Sequence, residues 1–436
     1  MAIATPAIFN PASLRVFEPE KIAFVRSVAL LMLALWSIEA FSNRRSPLPV
    51  GEGPGVGSVP LSTSPHIPFL APVAALMGCY LLAALLSDLP QVSLAGSYRR
   101  QFGALTHLSY AAVFLVVATH LRTRWQATRL LLAIVLGTFF PCTYALAQKL
   151  GLDPLPWSID QSRRVVGTLG QPTFLGAYLA AALPASVWLL MRASSRIPRI
   201  GLVAILILQT AALLFSQSRA AWLGTLIGVS VVALSSAWAR RAFHSLGIRG
   251  SIAGLLIAIG LLVSLNLPDT KINRLARSVP YLERAASFAD FGSGSGQVRT
   301  LIWQTVPALV AERPLVGRGP EMMGYAFERH YPPGLAYAES RTASADEAHN
   351  VLLQQLVTAG VFGLASYLWL IVSVVRVLIL TIYQGMRGKE NSSVQGVRGL
   401  AAPALGGILA GLAEGMAGVP SPRTIAASKH ASPRSS

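Results

Sequence analysis

The chain has 436 residues, of which 53% are hydrophobic and only 12% are charged. Soluble domains carry about 25% charged residues, so this composition excludes an ordinary soluble enzyme and indicates a membrane protein. The formal net charge is +18, but the arginines are spread over short loops between apolar runs. This distribution argues against nucleic-acid binding.

The apolar runs are long enough to cross a bilayer, which takes about 20 helical residues. Because a spanning backbone must satisfy its own hydrogen bonds, and the runs are too uniformly apolar for barrel strands, we predict an all-α polytopic helical bundle. A further run, 399–418, is weak because it is rich in Gly and Ala and contains Glu414. The nine clear runs are 22–41, 68–87, 103–121, 129–148, 172–191, 199–215, 219–238, 250–267 and 361–383.

The runs divide the chain into four parts. Residues 1–267 contain the first eight spans, 268–348 form a long polar loop, 349–418 hold the C-terminal helices, and 419–436 are a basic tail with the composition of a disordered segment. The first 21 residues lack the pattern of a cleavable signal peptide, so the first span is expected to be an uncleaved anchor. Both cysteines, Cys79 and Cys142, lie in apolar runs, which predicts neither disulfide nor metal site.

Arginine and lysine in alternate loops predict the orientation. One set of loops holds eleven basic residues, whereas the short loops of the other set hold five. The positive-inside rule places the richer set in the cytoplasm and the long loop outside. Eight spans before that loop put the N-terminus outside as well, unless a span is missed or a re-entrant pair is present. The five residues of the poorer set are Arg99, Arg100, Lys149, Arg163 and Arg164.

The long loop has nine basic and nine acidic residues, and the latter are half of all Asp and Glu in the chain. This balance predicts a small folded cap rather than a tether. A flexible break is expected at 292–296, and Pro307 is expected to kink or end its helix. After the loop, Gly360 and Gly363 allow a bend at the start of the next span. The predicted cap helices are 269–289, 299–311 and 321–330, with a turn at 314–320 before the last.

Arg219 lies in a short turn between two apolar helices, where Ser216 or Ser218 can cap the second helix. Free N–H groups, the positive end of the helix dipole and a guanidinium together make an anion site. The alternative is an arginine that extends to lipid headgroups. Its place on the face that the positive-inside rule depletes of arginine favours the anion site.

His349 precedes an apolar helix and follows Asp346 and Glu347, either of which can orient the imidazole or raise its pKa. Histidine exchanges a proton near neutral pH, which makes this position a candidate for acid–base chemistry. A capping or interfacial histidine fits the spacing equally well. Arg299 begins a cap helix, where arginine is usually a solvated surface residue.

Several segments resemble the O-antigen ligase and O-antigen polymerase superfamily. The resemblance covers about 165–370, with Thr173 standing where the family usually has Asn. Arg318 stands where a small or apolar residue is common in the family. It is therefore either a contact to a diphosphate of the substrate or a surface charge. The matching segments are Gly-Thr-Leu-Gly-Gln-Pro-Thr-Phe-Leu-Gly-Ala-Tyr-Leu at 167–179, Phe-Ser-Gln-Ser-Arg-Ala-Ala-Trp-Leu at 215–223, Arg299-x-x-x-Trp303 with Pro-Leu-Val-Gly-Arg-Gly-Pro at 314–320, and Ala348-His349-Asn350 with Gly360-x-x-Gly363-Leu364.

The resemblance implies an inverting glycosyltransferase that works among membrane lipids without a metal or other cofactor. Its donor is a glycan on undecaprenyl diphosphate, and its acceptor is a hydroxyl of a lipid-anchored saccharide such as lipid A-core. By the same resemblance, Arg219 and Arg299 bind the donor diphosphate, and His349 activates or positions the acceptor hydroxyl.

Other functions remain open at this stage. An O-antigen or exopolysaccharide polymerase joins two lipid-linked repeats by the same chemistry, and a protein O-oligosaccharyltransferase glycosylates Ser or Thr. A membrane transporter is the non-enzyme alternative, and it predicts ionisable residues at mid-span and paired broken helices. Glu39 and Glu414 instead lie near a span end and in the weak run.

Overall fold

A computed structural model gives the fold. It describes residues 1–10, 16–45, 69–155 without 99 and 122, 163–235, 270–286 without 280–281, 294–339 and 343–386, with a few isolated positions near 260–267 and 404–412. Most of the predicted span 250–267, the weak run 399–418 and the tail 419–436 lie outside these residues.

The described chain is all helical, as predicted. Long apolar helices form the bundle, and each predicted span within the described residues coincides with a helix. The run 129–148 is divided by a break at Thr138. The helices before the cap are α1 (Ala4–Ala7), α2 (Pro19–Arg45), α3 (Leu70–Leu85), α4 (Pro90–Ala95), α5 (Ala104–His120), α6 (Arg124–Gly137), α7 (Phe139–Lys149), α8 (Pro172–Arg192), α9 (Arg196–Ser216) and α10 (Arg219–Ser235).

Length and composition support membrane spanning for these helices. Five stretches of the described residues are long and apolar enough to cross a bilayer, and α3, α5 and α10 are shorter apolar helices. A buried cluster around Leu175, Leu179 and Leu183 packs α8 against α7, α9 and α10. Apolar side chains elsewhere on these helices remain exposed, for example Ile207 at 65% and Leu30 at 68%. Such surfaces are expected to face lipid, so the chain is a multi-pass membrane protein.

The cap is a folded unit with its own apolar core, as predicted. Ile302 and Leu309 of its longest helix are about 1% exposed and pack against Met323, Phe327 and Leu335. Residues of the following helix complete this core, so the cap is built directly on that helix. The cap helices are α11 (Lys271–Arg277), α12 (Leu282–Ala286), α13 (Gly294–Glu312), α14 (Met323–Phe327) and α15 (Gly334–Ala338), followed by α16 (Val351–Met386).

Two predictions for the cap are wrong in detail. The helix predicted over 269–289 is two helices, α11 and α12, because Pro280 in the sequence is incompatible with a helix interior. The expected flexible break does not reach residue 294, where α13 already begins. Of the two outcomes expected at Pro307, a kink or an end of the helix, the structure excludes the end, since the buried residues on both sides of it, Val306 and Leu309, hold the helix in the cap core.

One end of the bundle gathers the cap and the short loops of the arginine-poor set, and we call it the cap end. Arg313 of the cap bonds to Asp88, which follows α3, at 2.5 Å. At the start of α2, Lys21 bonds to the carbonyl of Thr168, and Arg26 bonds to that of Ala95 at 2.6 Å. The N-terminal segment therefore lies at the cap end, and eight spans before the long loop are consistent with this position.

A sharp kink joins the cap to α16. Gly360 has φ +65° and ψ −164° within α16, which realises the predicted bend. The backbone at the kink forms hydrogen bonds with the turn before α14. The N–H of Val361 donates to the carbonyl of Pro314 at 2.9 Å. In the opposite direction, the N–H groups of Arg318 and Gly319 donate to the carbonyls of Val357 and Thr358 at 2.9 Å each. The two glycine-rich segments of the sequence are therefore partners in space.

We expect Gly360→Ala to destabilise the protein strongly. A Cβ at this position would lie 2.3 Å from Leu315 O, and φ +65° is already unfavourable for alanine. The combined cost is about 3 kcal/mol or more. The apparent melting temperature in detergent should fall by several degrees. Gly78→Ala is the matched control, because nothing lies within 4 Å of its Cβ in α3; equal melting temperatures for both variants would contradict the kink's role.

Candidate active site

His349 is held in an unusual backbone conformation at the start of α16. Its φ is +52°, in the left-handed region that histidine tolerates better than most residues. On one side, the N–H and C=O of Ala348 bond to Gln354 Oε1 and Trp303 Nε1, both at 2.8 Å. On the other side, Asn350 Oδ1 accepts the N–H of Leu352 at 3.0 Å and so caps α16. These contacts fix the backbone on both sides of His349.

The imidazole of His349 is buried, with 5% of the residue exposed. Both ring nitrogens are buried and lack a hydrogen-bond partner among the described residues. Burial lowers the pKa of His349 to about 4; nearby Glu347 raises it and nearby Arg299 lowers it further. Both acidic neighbours, Asp346 and Glu347, therefore raise the pKa as the sequence suggested, but burial outweighs them, and neither bonds to the ring. The ring is neutral at physiological pH and retains a free nitrogen that can accept a proton.

Arg100 pairs with both acidic neighbours of His349, so neither carboxylate bonds to the imidazole. Its guanidinium pairs with Asp346 at 3.4 Å and also contacts Glu347. Burial opposes the charge on Arg100, but the two carboxylates outweigh this effect and raise its pKa. In the sequence, Arg100 stands out only as one of the basic residues of the arginine-poor loops. The pairing was not visible in the sequence because 246 positions separate Arg100 from Asp346.

The loop that carries Arg100 is fixed from two sides. Arg26 donates to the carbonyls of Ala95 and Gln101 at 2.6 and 2.8 Å. Glu321 of the cap accepts the N–H of Ser97 at 2.7 Å and that of Phe102. Arg100 is thus presented to the cap by a rigid turn rather than by a mobile loop.

Arg299 belongs to the same cluster as His349. It lies in the first turns of α13, one helical turn before Trp303, whose indole bonds to the residue preceding His349. Its charge acts on the His349 ring, as the lowered pKa shows. The structure therefore brings together two of the residues selected from the sequence.

Arg219 lies at the cap end in a second cluster, at the first residue of α10. The turn before it is closed by Gln217 at φ +51° and by a bond from Trp222 Nε1 to Leu213 O at 3.0 Å. Ser216 Oγ accepts the N–H of Ser218 at 3.3 Å, just ahead of the helix. The start of α10 and its arginine therefore sit in a well-defined turn.

Further cations surround this turn. Arg164 Nε donates to Ser216 O at 3.2 Å, and the backbone carbonyl of Arg163 accepts from Gln217 at 3.1 Å. Lys149 lies over the ring of Phe215, 5.6 Å from its centroid. The cationic cluster of Lys149, Arg163, Arg164 and Arg219 is suited to an anion. Arg219 is far from the other members of this cluster in the sequence, so the sequence predicted only that they lie on the same side of the membrane.

Arg318 is not the surface charge considered from the sequence, because it is only 2% exposed. Its guanidinium contacts Glu312 and lies 3.6 Å from Asp88, and Nε donates to Leu309 O at 3.3 Å. Protein carboxylates thus already neutralise this arginine. Its position favours a structural role, anchoring the cap to the end of α3, over a diphosphate contact.

The site holds no metal-binding cluster within the described part of the chain. No group of three His, Cys, Asp or Glu side chains there is arranged to hold an ion. The acidic residues closest to His349 are those that Arg100 pairs.

We predict that His349→Gln makes the protein less sensitive to acid. An unfolded histidine takes up a proton near pH 6.5, but the folded one does so only near 4. Stability is therefore lost as pH falls through this window, by about 3 kcal/mol in total. The fall in apparent melting temperature from pH 7 to pH 4.5 should be several degrees smaller in the variant. His120→Gln, which removes an imidazole at the opposite end, should behave like wild type.

We also predict that Arg100→Gln makes the protein lose less stability on acidification. The variant removes a cation that lowers the pKa of His349 and leaves Asp346 and Glu347 without their partner. Both changes favour the imidazolium and raise its folded pKa toward the unfolded value, so the pH window in which stability is lost becomes narrower. The fall in apparent melting temperature from pH 7 to pH 4.5 should be smaller than in wild type, with Arg100→Lys close to wild type. An unchanged fall would show that Arg100 does not control the ring.

Comparison with known proteins gives a match to part of the chain. No curated protein matches the chain. The family model described as O-antigen ligase matches residues 204–368, a segment that includes Arg219, Arg299, Arg318 and His349. The resemblance drawn from the sequence is thereby confirmed for this segment, which is similar to the O-antigen ligase family.

Proposed function

We propose that the protein is a ligase-type glycosyltransferase of the bacterial inner membrane. It moves a glycan from undecaprenyl diphosphate to a hydroxyl of a lipid-anchored acceptor, lipid A-core, at the periplasmic face. The family match supports an O-antigen ligase or polymerase type of function in general. The donor, acceptor and side of the membrane are the specific content of the proposal.

The observation that carries the proposal is the neutral, buried His349 with unpartnered ring nitrogens. An acceptor hydroxyl that reaches this ring supplies the missing hydrogen bond, and the imidazole then removes its proton as the oxygen attacks the sugar. Such general-base catalysis contributes about 10²- to 10⁴-fold to the rate. A donor diphosphate bound nearby raises the pKa of the imidazole and so makes it a stronger base.

The arginines are suited to the departure of the leaving group, the second part of the reaction. When the glycosidic bond breaks, the diphosphate leaving group gains negative charge, which guanidinium groups stabilise well in a site with little water. Arg299 lies beside His349, where the leaving group and the acceptor must meet. Arg219, with the cationic cluster around it, is suited to hold the phosphates at the lipid border. Attack opposite the leaving group inverts the anomeric centre, and no metal is needed for charge stabilisation.

The position of the clusters supports the lipid carrier. Both lie at the cap end of apolar helices, where a polyprenyl chain can stay in the bilayer while its diphosphate reaches polar residues. The scarcity of arginine in the short loops of this end supports the proposed periplasmic side.

We expect complementation of a deletion strain to separate these roles. Deletion should remove the long polymer ladder from lipopolysaccharide and leave polymer on the lipid carrier. His349→Ala, Arg219→Ala and Arg299→Ala should each fail to restore the ladder, with transfer reduced at least 100-fold for His349→Ala, the lower bound of about 10² for a lost general base. Lipopolysaccharide gels and carrier-linked glycan measure the two products, and transfer by purified protein should persist in EDTA.

Arg196→Ala is the matched control, because Arg196 is exposed at the opposite end of α9. It should restore the ladder at equal protein level on immunoblots. Restoration by His349→Ala and Arg219→Ala would refute the proposed chemistry. Loss of polymer from the carrier itself, rather than its accumulation, would indicate a polymerase.

A further inference from the structure

We infer that an open pocket beside the Arg100–Asp346 ion pair binds one sugar unit of the acceptor, an inference that rests on the proposed transfer reaction. The pocket opens where the turn that carries Arg100 meets the cap helix α14. Its lining includes Ser97, Arg100, Glu321, Tyr325, Glu328 and Asp346.

The size of the pocket fits a single sugar ring. Its volume is about 200 Å³, the space of roughly seven water molecules at about 30 Å³ each. Gly324 lines the pocket, and a Cβ there would lie in ordinary contact with Asp346 at 3.6 Å, so a side chain larger than alanine is expected to occupy part of the space. A longer glycan has to extend from the pocket into solvent, as a saccharide on a lipid anchor does.

The charge of the pocket excludes the donor phosphates. Its lining has three carboxylates, from Glu321, Glu328 and Asp346, and one guanidinium, from Arg100. The formal sum is 1 − 3 = −2, which repels a diphosphate. The cationic cluster around Arg219 has the opposite character, so the two substrates are separated by charge at one end of the bundle.

The chemical groups of the pocket suit a sugar. Tyr325 is 54% exposed and offers an aromatic face to the apolar side of a pyranose ring, with a hydroxyl at its edge. Asp346 Oδ1 is buried and has no hydrogen-bond partner among the described residues. A sugar hydroxyl is the natural donor for this oxygen. Hydroxyls can also donate to Glu328, which is exposed at the rim.

The pocket is built before a ligand arrives, and it adjoins His349. Glu321 is fixed by the N–H of Ser97, and Arg100 by Asp346. A rigid pocket loses little conformational entropy on binding. Asp346 lines the pocket and precedes His349 by three residues, so the pocket lies near the imidazole, which is not itself part of the lining. The pocket thus selects the acceptor and directs one hydroxyl toward the base.

The test uses the full chain, purified in lipid nanodiscs, with an undecaprenyl-diphosphate-linked glycan and rough lipopolysaccharide from the deletion strain as acceptor. Tyr325→Ala and Glu328→Gln should raise KM for the acceptor about tenfold and leave KM for the donor unchanged. Tyr337→Ala is the matched control, because this tyrosine is 93% exposed on α15 and outside the pocket lining. It should leave both constants unchanged. Melting temperatures verify that each variant is folded.

A direct binding measurement separates the pocket from the reaction. Saturation-transfer NMR with core oligosaccharide released from that lipopolysaccharide should show binding to wild type, and Tyr325→Ala and Gly324→Val should abolish it. Such binding without any transfer supports the pocket and refutes only the proposed function. Transfer with unchanged acceptor KM in both pocket variants, or a rise in donor KM instead, overturns the pocket assignment and leaves the function in place.

Discussion

The neutral state of His349 depends first on the burial of its ring and then on how the charges around it are distributed. An imidazole next to two carboxylates would ordinarily become an imidazolium, paired and unable to accept a proton. In this protein Arg100 pairs with both carboxylates, and Arg299 adds a second cation that opposes protonation. The result is a base without a partner in a dry site. Leaving such a group unsatisfied costs stability, which is consistent with a site whose missing partner is the substrate.

The pairing of Arg100 with the two carboxylates requires that distant parts of the chain keep their relative positions. The loop that carries Arg100 is held by hydrogen bonds from Arg26 of α2 and to Glu321 of the cap. The cap in turn is held against α16 by the backbone pairing at the Gly360 kink. Kink, cap and loop therefore form one support for the imidazole, and a change at Gly360 is expected to affect the site as well as the fold.

Much of the architecture could be predicted because lipid imposes strong constraints on sequence. Helix positions follow from apolar runs, the folded cap from its balanced charges, and the kink from Gly360. The pairing of Arg100 could not be predicted, since it joins loops that the sequence shows only as charged segments. The surroundings of His349 were hidden for the same reason: the sequence offered Asp346 and Glu347 as partners for its ring, whereas the tertiary structure pairs both carboxylates with Arg100.

In the proposed reaction, the distribution of charge at the cap end also separates the two substrates. A membrane enzyme that joins two lipid-anchored molecules must keep each in its own place while both diffuse in one plane. Cations around Arg219 attract phosphate, whereas the carboxylates near Tyr325 repel it and offer acceptors to sugar hydroxyls. His349 and Arg299 lie beside the carboxylate-lined pocket, so a carrier held through its diphosphate near Arg219 must present its glycan toward them. The cationic cluster and the carboxylate-lined pocket can thus orient the two substrates without a moving lid. The same arrangement favours attack by the acceptor over attack by a second donor molecule.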